Sequence, residues 1–158
     1  MPYLIDGNNL IGHISKFNQG DSRSRFDLMG QLYLFQRATR KRLIVIFDGP
    51  ADQELLEECR LWPKFELLFP RPGEKADDLI LNYLQKTRQP RTIILVTSDR
   101  ELQSIGRLRG AKLMTSQEFA RQIRKVLKEK SKDRELRKPS FLASPLEIKL
   151  WHETLRRK

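Results

Sequence analysis

Four aspartates stand where carboxylates can do chemistry: Asp6 in Leu4-Ile5-Asp6-Gly7-Asn8-Asn9-Leu10, Asp48 in Val45-Ile46-Phe47-Asp48, Asp77 in Glu74-Lys75-Ala76-Asp77-Asp78 and Asp99 in Thr97-Ser98-Asp99. The chain around them is basic, with 31 Lys and Arg against 20 Asp and Glu and a formal charge of +11. Carboxylates gathered in one pocket raise one another's pKa and resist joint ionisation. A divalent cation removes that penalty. The chain has only two histidines, His13 and His152, so an oxygen-only ligand set suits Mg2+ or Mn2+ better than zinc. A bound ion of this kind acidifies a water for in-line attack on phosphorus and offsets charge on the leaving oxygen. That is phosphodiester hydrolysis, and the excess of cations biases the chain toward polyanions such as nucleic acid or acidic membrane surfaces.

Such a cluster needs elements that bring distant residues together. Short runs rich in branched residues predict strands at 3–6, 43–48, 65–69, 92–98 and 111–114, the second and fourth reading as fully buried central strands. They alternate with segments of helical period at 26–40 and 76–86 and with capping-box spacings at Ser98–Glu101 and Thr115–Glu118, the latter opening a helix over 119–128. The alternation predicts an α/β fold with a mainly parallel sheet of about five strands. In such sheets the ligand crevice lies at the carboxyl ends of the strands. Asp6, Asp48 and Asp99 follow three of those ends. A crossover helix returns its amino end to the same edge, which adds Asp77, with Glu74 as an auxiliary. Steps of three, four and seven from Asp77 reach Ile80, Leu81 and Leu84, so its side chain is expected to point inward. Taken singly, each aspartate is as ordinary as a strand-end turn or a helix cap. Their joint placement selects Asp6, Asp77 and Asp99 as catalytic metal ligands, with Asp48 assisting. Asn9 is expected to contact a substrate phosphate or to orient Asp6.

The chain suits one globular domain over 1–130, followed by a basic extension over 131–158. Residues 121–158 hold 13 basic and 5 acidic residues, so most of the excess charge lies there. Arg121, Arg124, Lys125 and Lys128 recur at helical intervals and are expected to track a phosphate backbone. Arg23 and Arg25 are expected to contact RNA from a loop after the first motif. Ser144-Pro145-Leu146-Glu147 predicts a short C-terminal helix carrying Trp151, and Trp62-Pro63 reads as a loop anchor. The single cysteine, Cys59, has no internal disulfide partner and sits in a charged, helix-like stretch. No apolar run is long enough to span a membrane, and no targeting segment is evident, so a cytoplasmic setting is expected. A haloacid-dehalogenase-type phosphatase needs a second aspartate two positions after the first, where Asn8 stands. A dinucleotide enzyme needs a glycine fingerprint that is missing. The rival from another class is a non-catalytic RNA- or ribosome-binding adaptor.

The four motifs, in this order, resemble the YacP-like branch of the NYN domains, relatives of the PIN-domain nucleases. The likeness runs through Ile5-Asp6-Gly7-Asn8-Asn9-Leu10-Ile11-Gly12, Val45-Ile46-Phe47-Asp48, Glu74-Lys75-Ala76-Asp77-Asp78 and Thr97-Ser98-Asp99, across most of residues 1–130. It implies a PIN-like three-layer fold and metal-dependent endoribonuclease activity. For one bacterial subtype it implies messenger RNA cleavage on translating ribosomes. Asp6, Asp77 and Asp99 fall on the family's acidic positions and Asn9 on its asparagine, whereas Asn8 occupies a variable one.

Overall fold

The computed structural model describes residues 1–14 and 22–136. The helix expected after Ser144, and Trp151 with it, lie outside the described residues. The elements are β1 (Tyr3–Asp6), α1 (Gly7–Ile14), α2 (Ser22–Thr39), β2 (Leu43–Ile46), α3 (Gln53–Cys59), β3 (Phe65–Leu68), α4 (Ala76–Lys86), a 3-10 turn at Pro90–Thr92, β4 (Ile94–Val96), α5 (Arg100–Leu108), β5 (Lys112–Met114) and α6 (Ser116–Leu136). The five strands pair in parallel throughout, in the order β3-β2-β1-β4-β5.

Pleating sends successive side chains to opposite faces of the sheet. Tyr3, Ile5, Leu43, Val45 and Val96 therefore enter one core with α1, α2, α3 and α6. Leu4, Ile44, Ile46 and Leu95 enter the other with α4 and α5. The result is the expected three-layer α/β arrangement. The middle strand is β1, and β2 and β4 on either side of it are interior, largely buried strands, as expected of them. Those two are shorter than their apolar runs. The backbone pairing still reaches one residue further, since Phe47 N donates to Leu68 O and Thr97 N to Met114 O.

Two short helices are weak in the sequence. Gly7-Asn8-Asn9 are poor helix formers and look like a turn, yet α1 starts directly at Gly7 and buries Leu10 and Ile11 against the sheet. Packing overrides propensity there. α3 begins where the Asp52 side chain accepts Leu55 N–H and ends at Cys59, whose thiol lies in the core and is pushed up to about 11 by burial. Trp62 packs between Tyr33 and Phe65, as a loop anchor should. At the far end α6 continues to Leu136, so the helix extends past residue 130.

Phe119 fixes α6 to the sheet. It is fully buried and meets Tyr3 at 5.0 Å and Phe35 at 5.3 Å between ring centroids. Phe119→Ala should lower unfolding free energy by about 3–5 kcal/mol, measured by urea denaturation of the full chain.

Candidate active site

The chain steps outward from β1 through β2 to β3, then returns past β1 to β4 and β5. Strand order therefore reverses between β1 and β4, and in open α/β sheets the crevice at such a switch point is where ligands bind. Asp6 closes β1 at this point. It alternates with Leu4 and so faces the α4 and α5 side, and the next rung beyond the Ile5–Val96 pair sets it beside Thr97. The Thr97 hydroxyl donates to Asp6 Oδ2 at 3.0 Å, and Asn9 N–H donates to the same carboxylate. Asp6 is only 7% exposed.

The other carboxylates arrive from separate elements. Asp99 is the N-cap of α5, its Oδ1 accepting Glu101 N–H at 2.9 Å and Leu102 N–H at 3.2 Å. The cap expected from Ser98 is thus taken over by Asp99, without a capping box, and Ser98 Oγ instead accepts Ser116 N–H. Asp48 lies in the turn beyond β2, and its Oδ1 accepts Gly49 N–H and Ala76 N–H, tying that turn to the first residue of α4. Asp77, in the first turn of α4, is solvent-exposed rather than inward. The helical stripe beneath it is carried by Ala76, Ile80 and Leu84, which rotates Asp77 onto the rim. Asp78 accepts Lys75 N–H. Glu74 is half-buried just ahead of the helix.

Electrostatics tie these groups together. Burial raises the Asp6 carboxyl from its ordinary value of 3.8 to about 6. The hydrogen bonds from Thr97 and Asn9 oppose the rise, and the charges of Asp77 and Asp99 add to it. Asp77 is raised as well, by partial desolvation and then by Asp99, Asp48 and Asp78. Asp6 thus feels Asp77 and Asp99, and Asp77 feels Asp99 and Asp48. Among the described residues, however, no three His, Cys, Asp or Glu side chains are grouped tightly enough to hold an ion directly. A divalent ion held at this edge would therefore have to reach the carboxylates partly through its own waters, as Mg2+ readily does.

Two asparagines hold the edge in place. Asn8 Oδ1 accepts Asp48 N–H at 2.7 Å. Asn9 Oδ1 accepts Ser98 N–H and the Ser116 hydroxyl, so one amide fastens both the β4–α5 loop and the start of α6. Gly7 between them and Asp6 is needed for space: a Cβ there would lie 2.6 Å from the Phe47 ring. Thr97 was not among the expected site residues. Its signal was a hydroxyl at a strand end, beside the strand that ends in a carboxylate.

The expected RNA-contacting cations divide into two groups. Arg23 and Arg25 lie in the first turns of α2, not in a loop. Arg25 already donates to Asp48 O at 2.8 Å and lies over the Phe47 and Phe69 rings, bracing the Asp48 turn. Arg121, Arg124, Lys125 and Lys128 are exposed on α6. That helix starts at the carboxylate edge and leaves it, so Lys128 lies roughly 18 Å from its first residue. Arg124 donates to His13 O at the last turn of α1.

A five-stranded parallel sheet with aspartates at its carboxyl edge defines the class as an open α/β domain, and comparison gives the family. The YacP-like NYN domain model matches residues 3–157, and the chain belongs to that family. The fold is similar to two crystal structures of Rae1 (YacP) from Bacillus subtilis. One has 25% identity, covers 99% of this chain and 91% of that one, and gives a TM-score of 0.65. The other, a tryptophan-to-leucine variant, has 24% identity, covers 98% and 90%, and gives 0.67. Comparison with curated protein sequences gave no match. Among the described residues, no helix is long and apolar enough to cross a membrane.

The raised Asp6 pKa makes stability depend on pH. Between pH 4 and 6 the folded protein keeps a proton that the unfolded chain has released, so stability falls as pH rises through that window and levels off above it. Asp6→Asn should therefore be more stable than the parent at pH 7 by about 3 kcal/mol. The advantage should vanish below the ordinary carboxylate range, as read from urea midpoints across pH.

Proposed function

We propose that this protein is a divalent-metal-dependent endoribonuclease that hydrolyses RNA phosphodiester bonds, acting on messenger RNA in a ribosome-associated, cytoplasmic setting. The observation that carries this reading is the placement of carboxylates from β1, the β2 turn, α4 and α5 at the carboxyl edge of the sheet, where strand order reverses. Mg2+ or Mn2+ would be held by Asp6, Asp77 and Asp99, with Asp48 assisting. When bound, such an ion supplies a water of lowered pKa and neutralises charge on the leaving oxygen.

The protein's own part is orientation. Thr97 and the Asn9 N–H fix the Asp6 carboxylate from two sides. The α5 cap holds Asp99, leaving Oδ2 outside those bonds, and the clasp from Asp48 to Ala76 sets the head of α4 and with it Asp77. Asn9 positions backbone rather than substrate in this reading, since its side-chain oxygen already takes two donors. Arg23 at the edge and the α6 cations Arg121, Arg124, Lys125 and Lys128 supply affinity for phosphates without sequence information.

A second reading draws on the engagement of Asp48 and Asp99 in caps and on the absence of a tight ligand triad among the described residues. It is an RNA- or ribosome-binding adaptor that does not cut. Cleavage of a labelled RNA with Mn2+ separates the two. Asp6→Asn and Asp77→Asn should each lower the rate about 100-fold or more, and Mn2+ should raise the melting temperature of the parent but not of Asp6→Asn. Equal cleavage by all three proteins would remove the nuclease assignment, and RNA binding without any cleavage would favour the adaptor.

A further inference from the structure

The opposite edge of the sheet carries a second charged feature. A cleft of about 320 Å3 at the amino ends of β4 and β5 is lined by Arg88, Gln89, Pro90, Arg91, Thr92 and Arg109. Its walls come from two chain reversals. Arg88-Gln89-Pro90-Arg91 leads into the 3-10 turn before β4, with proline at its start, and α5 closes at Arg109 before Gly110 takes a φ of 91°. The Arg91 stem passes 3.5 Å from where a Cβ on Gly110 would stand, which sets the two reversals side by side.

All three arginines are exposed, and among the described residues none of them is in an ion pair. Among the described residues, no carboxylate lines the cleft. Three guanidinium groups sharing one concavity repel, and an anion relieves that repulsion. Their forked donors match phosphate oxygens. The described lining, of arginines, Gln89, Pro90 and Thr92, has no aromatic ring for a base to stack on and no acid to meet a ribose hydroxyl, so it suits the repeating phosphates of a backbone rather than a nucleotide.

We propose that this cleft is a second RNA-binding site, which grips backbone phosphates of an RNA whose scissile bond lies at the carboxylate edge. The inference rests on the RNA reading above but not on cleavage. From Thr92 to Asp99 the chain runs nearly extended, which separates the two sites by roughly 20 Å. Only an RNA long enough to span that distance engages both.

The test is the triple variant Arg88→Gln/Arg91→Gln/Arg109→Gln, beside a control that loses equal charge elsewhere, Lys41→Gln/Arg60→Gln/Lys130→Gln. Binding of a long labelled hairpin RNA is followed by fluorescence anisotropy in EDTA across a salt series, and cleavage of a tetranucleotide is followed with Mn2+. The triple variant should bind the hairpin about tenfold or more weakly and flatten the plot of log affinity against log salt by about 2–3. The control should change less, and tetranucleotide cleavage by the triple variant should equal the parent's. Hairpin affinity and salt dependence matching the parent or the control would overturn the proposal, as would loss of tetranucleotide cleavage or a parent that binds no RNA. A parent that binds through the cleft yet cleaves neither RNA would leave this site standing and remove the nuclease reading.

Discussion

The structure depends on keeping one carboxylate out of water. Asp6 is buried at the end of the central strand, and nothing in its immediate hydrogen bonding fully compensates: the Thr97 hydroxyl and the Asn9 N–H lower its pKa, yet burial still leaves it near 6. A surface aspartate would avoid the cost. A parallel sheet whose order reverses beside β1 gives this side chain no other direction once Leu4 has been committed to the α4 and α5 core. The same pleat that buries Leu4 therefore fixes where Asp6 points.

The neighbouring carboxylates are held by structural bonds of their own. Asp99 caps α5, and Asp48 joins its turn to α4, so each stays in place even without a ligand. The first turn of α1 then joins the loops together. Asn8 takes the Asp48 N–H, and Asn9 takes the Ser98 N–H and the Ser116 hydroxyl. Arg25 completes the set from α2 by holding the Asp48 carbonyl. Backbone from β2, β4 and α6 is thereby linked through side chains of a few neighbouring residues, and a change at any of them would be felt at the others.

Much of this was legible in the sequence because strand ends are marked by composition. Leu43 to Phe47 and Ile93 to Val96 are apolar runs that stop at polar residues, so the carboxyl edge and its aspartates could be read directly. The Thr115–Glu118 capping box was equally plain, with Glu118 N donating to Thr115 Oγ1. What escaped was set by tertiary packing. Gly7-Asn8-Asn9 looks like a turn and is helix, because Leu10 and Ile11 gain burial that outweighs poor propensity. The facing of Asp77 was misjudged because Leu81, counted in the buried stripe, is only half-buried, while Ala76 is buried instead. Arg25 was read as a loop cation because its two aromatic partners, Phe47 and Phe69, are distant in the chain.

The direct passage from β1 into α1 has an electrical consequence. Asp6 stands immediately before the first residue of α1, Asp99 caps α5, and Asp77 lies in the first turn of α4. Each of these helix beginnings carries roughly half a positive elementary charge from its aligned peptide dipoles. Three of them directed at one edge supply about one and a half positive charges, against four carboxylates. The backbone thus tempers the negative field without cancelling it, and the edge stays attractive to cations in a molecule whose overall charge would repel them.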